Sequence, residues 1–108
     1  MENKSINRVE LQGRVGTVRI QSVDDQLVAS FSLATEHSFK LKDGAIVTET
    51  TWSHICGFES RDVCLEGLSR GVLVHLTGRL RTSRYTAADG TERTFTEVVA
   101  ERLKVVEE

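Results

Sequence analysis

The sequence predicts an all-β fold of five strands, with Asp-Gly turns marking two hairpins. Polar and apolar residues alternate along most of the chain, whereas a helical spacing of apolar residues occurs only once. Such alternation is typical of half-buried strands, and an Asp-Gly pair between two runs is typical of a tight hairpin turn. The two pairs are Asp43-Gly44 and Asp89-Gly90. The length of 108 residues suits a single domain over residues 1–108.

The first three strands follow from this alternation. The first is predicted over residues 9–20, and a turn follows at Asp24-Asp25. The second is predicted over residues 27–35 and continues through Phe39 into a long hairpin arm. The third returns over residues 47–58 after the first Asp-Gly turn.

A short helix is predicted between the third and fourth strands. Ser60 is a candidate N-cap, and the short apolar face that follows ends before Gly71. The fourth strand is predicted over residues 72–85 and the fifth over residues 93–106. Five strands with one helix between the third and fourth is the order of the OB-fold, a Greek-key barrel that binds oligonucleotides on one face.

Two predicted strand faces combine flat rings with basic side chains. In the third strand, alternation places Trp52, the one tryptophan of the chain, on the same face as His54 and Phe58. The fourth strand has a similar face, which carries Arg79, Arg81 and Tyr85. Stacking of unpaired bases and neutralisation of their phosphates require this combination.

Composition limits the other possibilities. No apolar run approaches the ~20 residues of a membrane span, and no apolar signal segment follows Met1. We therefore expect a cytoplasmic protein with no membrane partner. The formal net charge is −2, so any site for nucleic acid must be a local concentration of Lys and Arg. Cys56 and Cys64 lack metal-ligand spacing, so we expect two buried free thiols, no metal and no cofactor.

Several motifs, taken in order and spacing, resemble the bacterial single-stranded DNA-binding protein family. The resemblance runs from Asn7 to about Leu103 and rests on residues 7–16, 31–35, 51–58, 78–82, 89–93 and 96–99. It implies an OB-fold and sequence-independent binding and protection of single-stranded DNA in replication, recombination or repair. It also implies a homotetramer built from dimers.

The resemblance also assigns roles to individual residues. The base-stacking aromatics that it implies are Trp52, Tyr85, Phe58 and Phe39. For Phe39 and Phe58, packing within the core or the hairpin is the alternative. The chemistry of basic side chains, rather than the resemblance, gives the candidates for phosphate contacts: Arg81, Arg79, Arg14, Arg8, Arg70, Arg84, Lys40 and His54. For any one of them, a solvated surface charge is the alternative. Arg81 is the strongest candidate because it shares a strand face with Tyr85, and Arg84 the weakest because it has the opposite parity.

Two departures from the family pattern concern partners. The family usually has histidine directly after the third-strand tryptophan, at its subunit interface, but this chain has Ser53 there. We therefore expect a weaker tetramer, with dimer on dilution. The sequence ends at Glu108 without a Gly/Pro-rich linker and acidic tip. A tail-less or truncated member is not expected to recruit the replication and repair enzymes that dock on that tip.

No catalytic arrangement competes with this interpretation, so we do not expect an enzyme. The three histidines, His37, His54 and His75, have no nucleophile with an orienting partner, and no phosphate-binding glycine loop is present. One alternative is an OB-fold protein-interaction module of a primosome or recombination complex with incidental DNA affinity. Another is an RNA-binding domain of cold-shock type, although the closely spaced aromatic ladders of such domains are missing.

Overall fold

The computed structural model describes residues 4–108 and contains five long strands in a closed barrel. The strands are β1 (Val9–Val23), β2 (Gln26–Lys40), β3 (Ile46–Phe58), β4 (Leu73–Thr86) and β5 (Glu92–Val105). Their order around the barrel is β1-β2-β3-β5-β4, and all neighbours are antiparallel except β3 and β5. This architecture confirms the predicted OB-fold. Among the described residues, no helix is long and apolar enough to cross a membrane.

The barrel closes because β1 pairs with two strands. Its first half pairs with β4 and its second half with β2. Two glycines allow the close backbone approaches that this requires. A Cβ atom on Gly13 would lie 2.1 Å from the carbonyl oxygen of Ala34, and one on Gly78 would lie 2.1 Å from that of Val99. A side chain at either position would therefore push two strands apart.

The interior of the barrel is filled by alternate residues of all five strands. The largest fully buried side chains are Phe31, Leu33, Ile55, Leu76 and Val74. Because successive residues of a strand point to opposite sides, the buried Ile55 directs Trp52 and His54 to the outer surface. The core thus determines which face of β3 is available to a ligand.

The predicted helix between β3 and β4 is wrong, because residues 59–72 form an irregular connection. Ser60 Oγ accepts the N–H of Val63 at 3.3 Å, as an N-cap would. However, the next backbone bonds go to β5: Cys64 N–H donates to the Leu103 carbonyl at 3.1 Å, and Leu103 N–H to the Asp62 carbonyl at 3.0 Å. The segment is therefore held against the barrel as an extended chain rather than by its own helical bonds.

Two hairpin arms continue beyond the barrel, as predicted. The β2–β3 arm is paired as far as Lys40 and Ile46, and the β4–β5 arm as far as Thr86 and Glu92. The turn glycines Gly44 and Gly90 have φ of 90° and 87°, a conformation that favours glycine.

Candidate nucleic-acid interface

Trp52 presents its indole on the outer surface of the barrel, on β3. The residue is 61 % exposed, in contrast to the buried Ile55 on the same strand. Its cross-strand partner on β2 is Ala34, whose own partner on β1 is Arg14. Directly paired residues of antiparallel strands lie on the same face of the sheet. Tryptophan, a small alanine and an arginine therefore form one row across three strands.

Gly16 on β1 lies directly beneath the indole ring. A Cβ atom built on Gly16 would lie 2.6 Å from Cζ3 and 3.1 Å from Cη2 of Trp52. The same atom would lie 2.5 Å from Oγ of Ser32. The ring therefore occupies space that any other residue at position 16 would need. Glycine lets the indole rest against the sheet while most of its surface stays open to solvent.

A bulge in β1 supports this arrangement. The register between β1 and β2 shifts between Val15 and Val18. Within the bulge, Thr17 N–H donates to Oγ of Ser32 at 3.0 Å, and the hydroxyl oxygens of the two residues are 3.3 Å apart. The serine hydroxyl thus satisfies a backbone donor in the disturbed ladder. The side-chain polar groups of this bulge are therefore neutral hydroxyls.

Three further rings form a row across the neighbouring strands: His54 on β3, Phe95 on β5 and Tyr85 on β4. The ring centroids of His54 and Phe95 are 6.0 Å apart with planes at 79°, and those of Phe95 and Tyr85 are 5.8 Å apart at 62°. Edge-to-face contacts at these distances are favourable. Tyr85 is 48 % and Phe95 38 % exposed, so this aromatic row offers ring surface to solvent.

Phe95 is a ring of this surface that the sequence analysis does not name. It lies directly opposite Ser83 on β4 and contacts rings on both sides. The alternation of side chains along β5 locates it. Val98 and Ala100 face the interior, and Phe95 has the opposite parity, so it lies on the outer face.

The two remaining candidate stacking residues occupy different faces. Phe58 lies on the same face of β3 as Trp52, at the end of the strand. Phe39 pairs with Val47 in an unbroken register, so it lies on the opposite face of the β2–β3 arm from Trp52. Its ring stacks on His37, with centroids 6.1 Å apart and planes at 29°. The structure therefore does not bring Phe39 together with the other three.

A buried carboxylate lies beside the aromatic row. Glu97 on β5 is 5 % exposed, and its Oε1 accepts hydrogen bonds from Nε of Arg81 at 3.0 Å and Oγ of Ser83 at 3.1 Å. Nη2 of Arg81 donates to the same oxygen. Oε2 of Glu97 lies 3.6 Å from Nε2 of His54, which is 3.1 Å from Oγ of Ser30. This Glu97 network crosses four neighbouring strands.

The network alters the ionisation of two neighbours. The hydrogen bond to Glu97 raises the pKa of Arg81, so its guanidinium stays protonated. Burial, followed by the charge of Glu97, raises the pKa of the Cys56 thiol. A raised pKa lowers the fraction of thiolate, which is the reactive form of cysteine.

Both cysteines are free, and only Cys56 is partly buried. The expectation of a buried thiol is wrong for Cys64, which is exposed because the extended connection buries its neighbours Val63 and Leu65 instead. Within residues 4–108, no three His, Cys, Asp or Glu side chains lie close enough to hold a metal ion.

Two of the other candidate phosphate ligands also have acidic partners. Arg79 Nη1 lies 3.7 Å from Oε2 of Glu101. Arg14 pairs with Glu108 through both guanidinium nitrogens, with Nη2 at 2.9 Å from Oε2. The hydrogen bond between them raises the pKa of Arg14 and lowers that of Glu108. Both pairs are exposed to solvent, so a phosphate can compete for these arginines.

The remaining candidates are exposed and scattered. In the described part of the chain, no ion pair involves Arg8, Lys40, Arg70 or Arg84. Lys40 pairs with Ile46 and lies on the Trp52 face of its arm, whereas Arg84 has the opposite parity to Tyr85 on β4. Ser53 points to the interior side of β3 opposite Leu33 and is half-buried.

Comparison with known proteins assigns the family. The family model described as "Single-strand binding protein family" matches residues 6–106. The chain belongs to this family. The match confirms the resemblance inferred from the sequence motifs.

Individual relatives agree with this assignment. The chain is 33 % identical over 106 residues to a single-stranded DNA-binding protein of Neisseria meningitidis, covering 94 % of this chain and 60 % of the relative. It is 29 % identical over 101 residues to the mitochondrial single-stranded DNA-binding protein of Drosophila melanogaster, covering 91 % and 69 %. The chain thus spans about 60 % of the length of the Neisseria relative.

Solved structures support the same fold. A structure described as the Plasmodium falciparum SSB complex with ssDNA matches with a TM-score of 0.83 and 27 % identity, covering 99 % of this chain and all of that one. A deletion mutant of the Thermus aquaticus single-stranded DNA binding protein matches with a TM-score of 0.75 over 94 % of this chain and 51 % of that one. At 20 % identity, the second match shows the fold alone.

Proposed function

We propose that this chain binds single-stranded DNA without sequence preference, by stacking bases on exposed rings and contacting phosphates with Arg and Lys. The observation that carries the proposal is the contact of the Trp52 indole with Gly16 on one side, while Trp52 is 61 % exposed to solvent. Large rings are normally buried for the stability they add, so a ring supported from below and open above suits a flat ligand. The names of the relatives and the Plasmodium complex support the same ligand.

The rings provide a path rather than a single contact. Trp52 and His54 are two residues apart on one strand face, and the aromatic row continues from His54 to Phe95 and Tyr85. A strand of unpaired bases that follows this path crosses β3, β5 and β4. Each stacked base contributes roughly 1–3 kcal/mol, and stacking does not depend on sequence because every base has a π-face.

Binding of this kind needs bases that are not already paired, so we expect discrimination against duplex DNA. The emission of the single Trp52 reports binding directly. Single-stranded oligo-dT should quench it, while duplex of equal length should quench far less. Oligo-rU in the same titration measures the preference between DNA and RNA.

Phosphate contacts should make the affinity depend on salt. Each phosphate neutralised on a single strand contributes a slope of about −0.7 to the plot of log affinity against log salt. Emission that does not change with saturating oligo-dT at low salt would contradict the proposal and favour a protein-interaction module. A flat salt response would assign the arginines and lysines to ordinary surface charge.

We extend the proposal to the biological role and the assembly. A sequence-independent surface suits a non-enzymatic protein that protects single-stranded DNA in the cytoplasm, at the nucleoid, during replication, recombination or repair. One barrel holds only a few nucleotides, so linked copies would raise the effective concentration of sites on a long strand. A homotetramer would provide such linked copies. We expect it to dissociate to dimer on dilution because Ser53 weakens the interface.

Sedimentation across a wide protein concentration range tests the assembly. Tetramer that gives way to dimer on dilution is the expected result. A monomer at every concentration would contradict self-association, and an undissociated tetramer at nanomolar protein would contradict the role of Ser53.

A further inference from the structure

An acidic side chain lies on the surface where phosphates are expected. Glu97 belongs to the outer face of β5, between His54 on β3 and Arg81 on β4. It is the one buried charged residue in the described part of the chain, at 5 % exposure. A carboxylate can be buried in this way only if it is paired and hydrogen-bonded, and Glu97 is both. Because Glu97 lies within the aromatic surface, its charge can affect how nucleic acid binds there.

The geometry of Arg81 shows what the carboxylate does to it. Nε and Nη2 both donate to Oε1 of Glu97, so one edge of the guanidinium is fixed against β5. The side chain of Arg81 is still 40 % exposed, so the rest of the group faces solvent. A phosphate near this surface meets a positive and a negative charge in direct contact, whose fields largely cancel.

The same carboxylate also reaches the aromatic row. Its second oxygen lies 3.6 Å from Nε2 of His54, whose ring makes an edge-to-face contact with Phe95. Its first oxygen accepts the hydroxyl of Ser83, the cross-strand neighbour of Phe95. Glu97 therefore connects His54, one ring of the row, with Arg81 and Ser83 on β4.

We propose that Glu97 is a positioning residue of the nucleic-acid interface, which fixes His54 within the aromatic row and Arg81 beside it, and which cancels the charge of Arg81. The inference rests on the proposed function. It follows that Arg81 offers hydrogen-bond donors beside the aromatic row, while the Arg81–Glu97 pair adds no net charge for phosphates. The counter-ions released on binding must then come from the other basic residues.

A charge cycle tests this proposal. The salt slope of oligo-dT binding is measured for the wild type, Glu97→Gln, Arg81→Met and the double variant, at about pH 8, above the range in which histidine side chains titrate. Thermal unfolding of each variant shows whether it is folded. Glu66→Gln, which makes the same change in net charge in the exposed β3–β4 connection, is the matched control.

Each variant has a defined expectation. Glu97→Gln leaves Arg81 uncompensated, so the slope should steepen by about 0.7 and the loss of affinity over a fourfold rise in salt should grow about 2.6-fold. Arg81→Met should make the slope shallower by a similar amount, and the double variant should match the wild type. Glu66→Gln should leave the slope unchanged.

Two results would overturn the inference: a wild-type slope for Glu97→Gln, or a double variant with the shallow slope of Arg81→Met. Either would mean that Arg81 acts as a full charge on DNA. If one single variant fails to fold, the double variant, which retains similar volumes without the charges, still decides. A wild type that does not bind oligo-dT would instead refute the proposed function itself.

Discussion

The two halves of the outer surface support their rings in different ways. On the β1–β2–β3 side, Trp52 rests on Gly16, and the adjacent polar groups are the hydroxyls of Thr17 and Ser32. On the β3–β5–β4 side, the aromatic row is held by the charged Glu97 network. The first support depends on shape and the second on electrostatics. Steric substitutions should therefore affect the support of the Trp52 ring, and changes of charge the support of the aromatic row.

Removal of the Trp52 ring should have the largest effect on the shape-dependent side. Trp52→Ala should weaken oligo-dT binding by roughly 1–3 kcal/mol, the contribution of one stacked base. Because the ring is 61 % exposed, the free energy of unfolding should change little. Fluorescence anisotropy of a labelled oligonucleotide and thermal unfolding measure the two quantities. An unfolded variant would place Trp52 in the core and reverse the assignment of faces.

A methyl group at Gly16 should have the next largest effect. Gly16→Ala puts a Cβ atom 2.6 Å from Cζ3 of Trp52, so the ring must tilt away and binding should weaken by about 1 kcal/mol, near the lower end of the stacking range. Gly57→Ala is the control, since its Cβ would meet its nearest neighbour at an ordinary 3.5 Å.

The effect of Gly16→Ala should act through the indole. In a Trp52→Ala background, the same substitution should therefore cause no further loss of affinity. An additive loss in the double variant would show that Gly16 affects DNA by another route.

Phe95 and Phe39 distinguish the two faces of the sheet. Phe95→Ala removes the middle ring of the aromatic row and should weaken binding by about 1 kcal/mol. Phe39→Ala, on the opposite face of the β2–β3 arm, should leave the affinity for a short oligonucleotide almost unchanged. The same anisotropy titration measures both variants. A larger loss from Phe39→Ala would place the DNA on the other face.

The smallest effect concerns the Cys56 thiol on the charged side. Burial and Glu97 raise its pKa, so its thiolate forms only at higher pH than in an unfolded peptide. The rate of alkylation is measured in a Cys64→Ser background. It should rise with pH, with a midpoint at higher pH than that of an unfolded peptide. Glu97→Gln should move that midpoint back to lower pH. Bound oligo-dT should slow the alkylation of Cys56. An alkylation rate that is the same with and without oligo-dT would show that Cys56 lies outside the interface.

The strands could be predicted because their pattern is local. Alternation placed all five strands within a few residues of their observed bounds, and the Asp-Gly pairs located both long hairpins. The prediction of a helix was wrong because the apolar spacing after Ser60 fits one helical turn as well as an extended segment. Only the bonds from Cys64 and Asp62 to Leu103, about forty positions away, decide between them.

The site could be predicted only in part, for a similar reason. Parity within β3 placed Trp52, His54 and Phe58 on one outer face, as the structure has them. Nothing in the local sequence indicates that Gly16 lies under the indole or that Glu97 neutralises Arg81. Both depend on how distant strands are paired in the barrel.

Photochemical crosslinking of oligo-dT, followed by mass spectrometric mapping, tests most directly which face binds DNA. Rings stacked on thymine crosslink when irradiated, so the modified residues identify the contact surface. We predict crosslinks at Trp52 and at Phe95 or Tyr85, abolished by competing unlabelled single strand and unaffected by duplex. Crosslinks confined to Phe39 or to the opposite face, with Trp52 unmodified, would contradict the account.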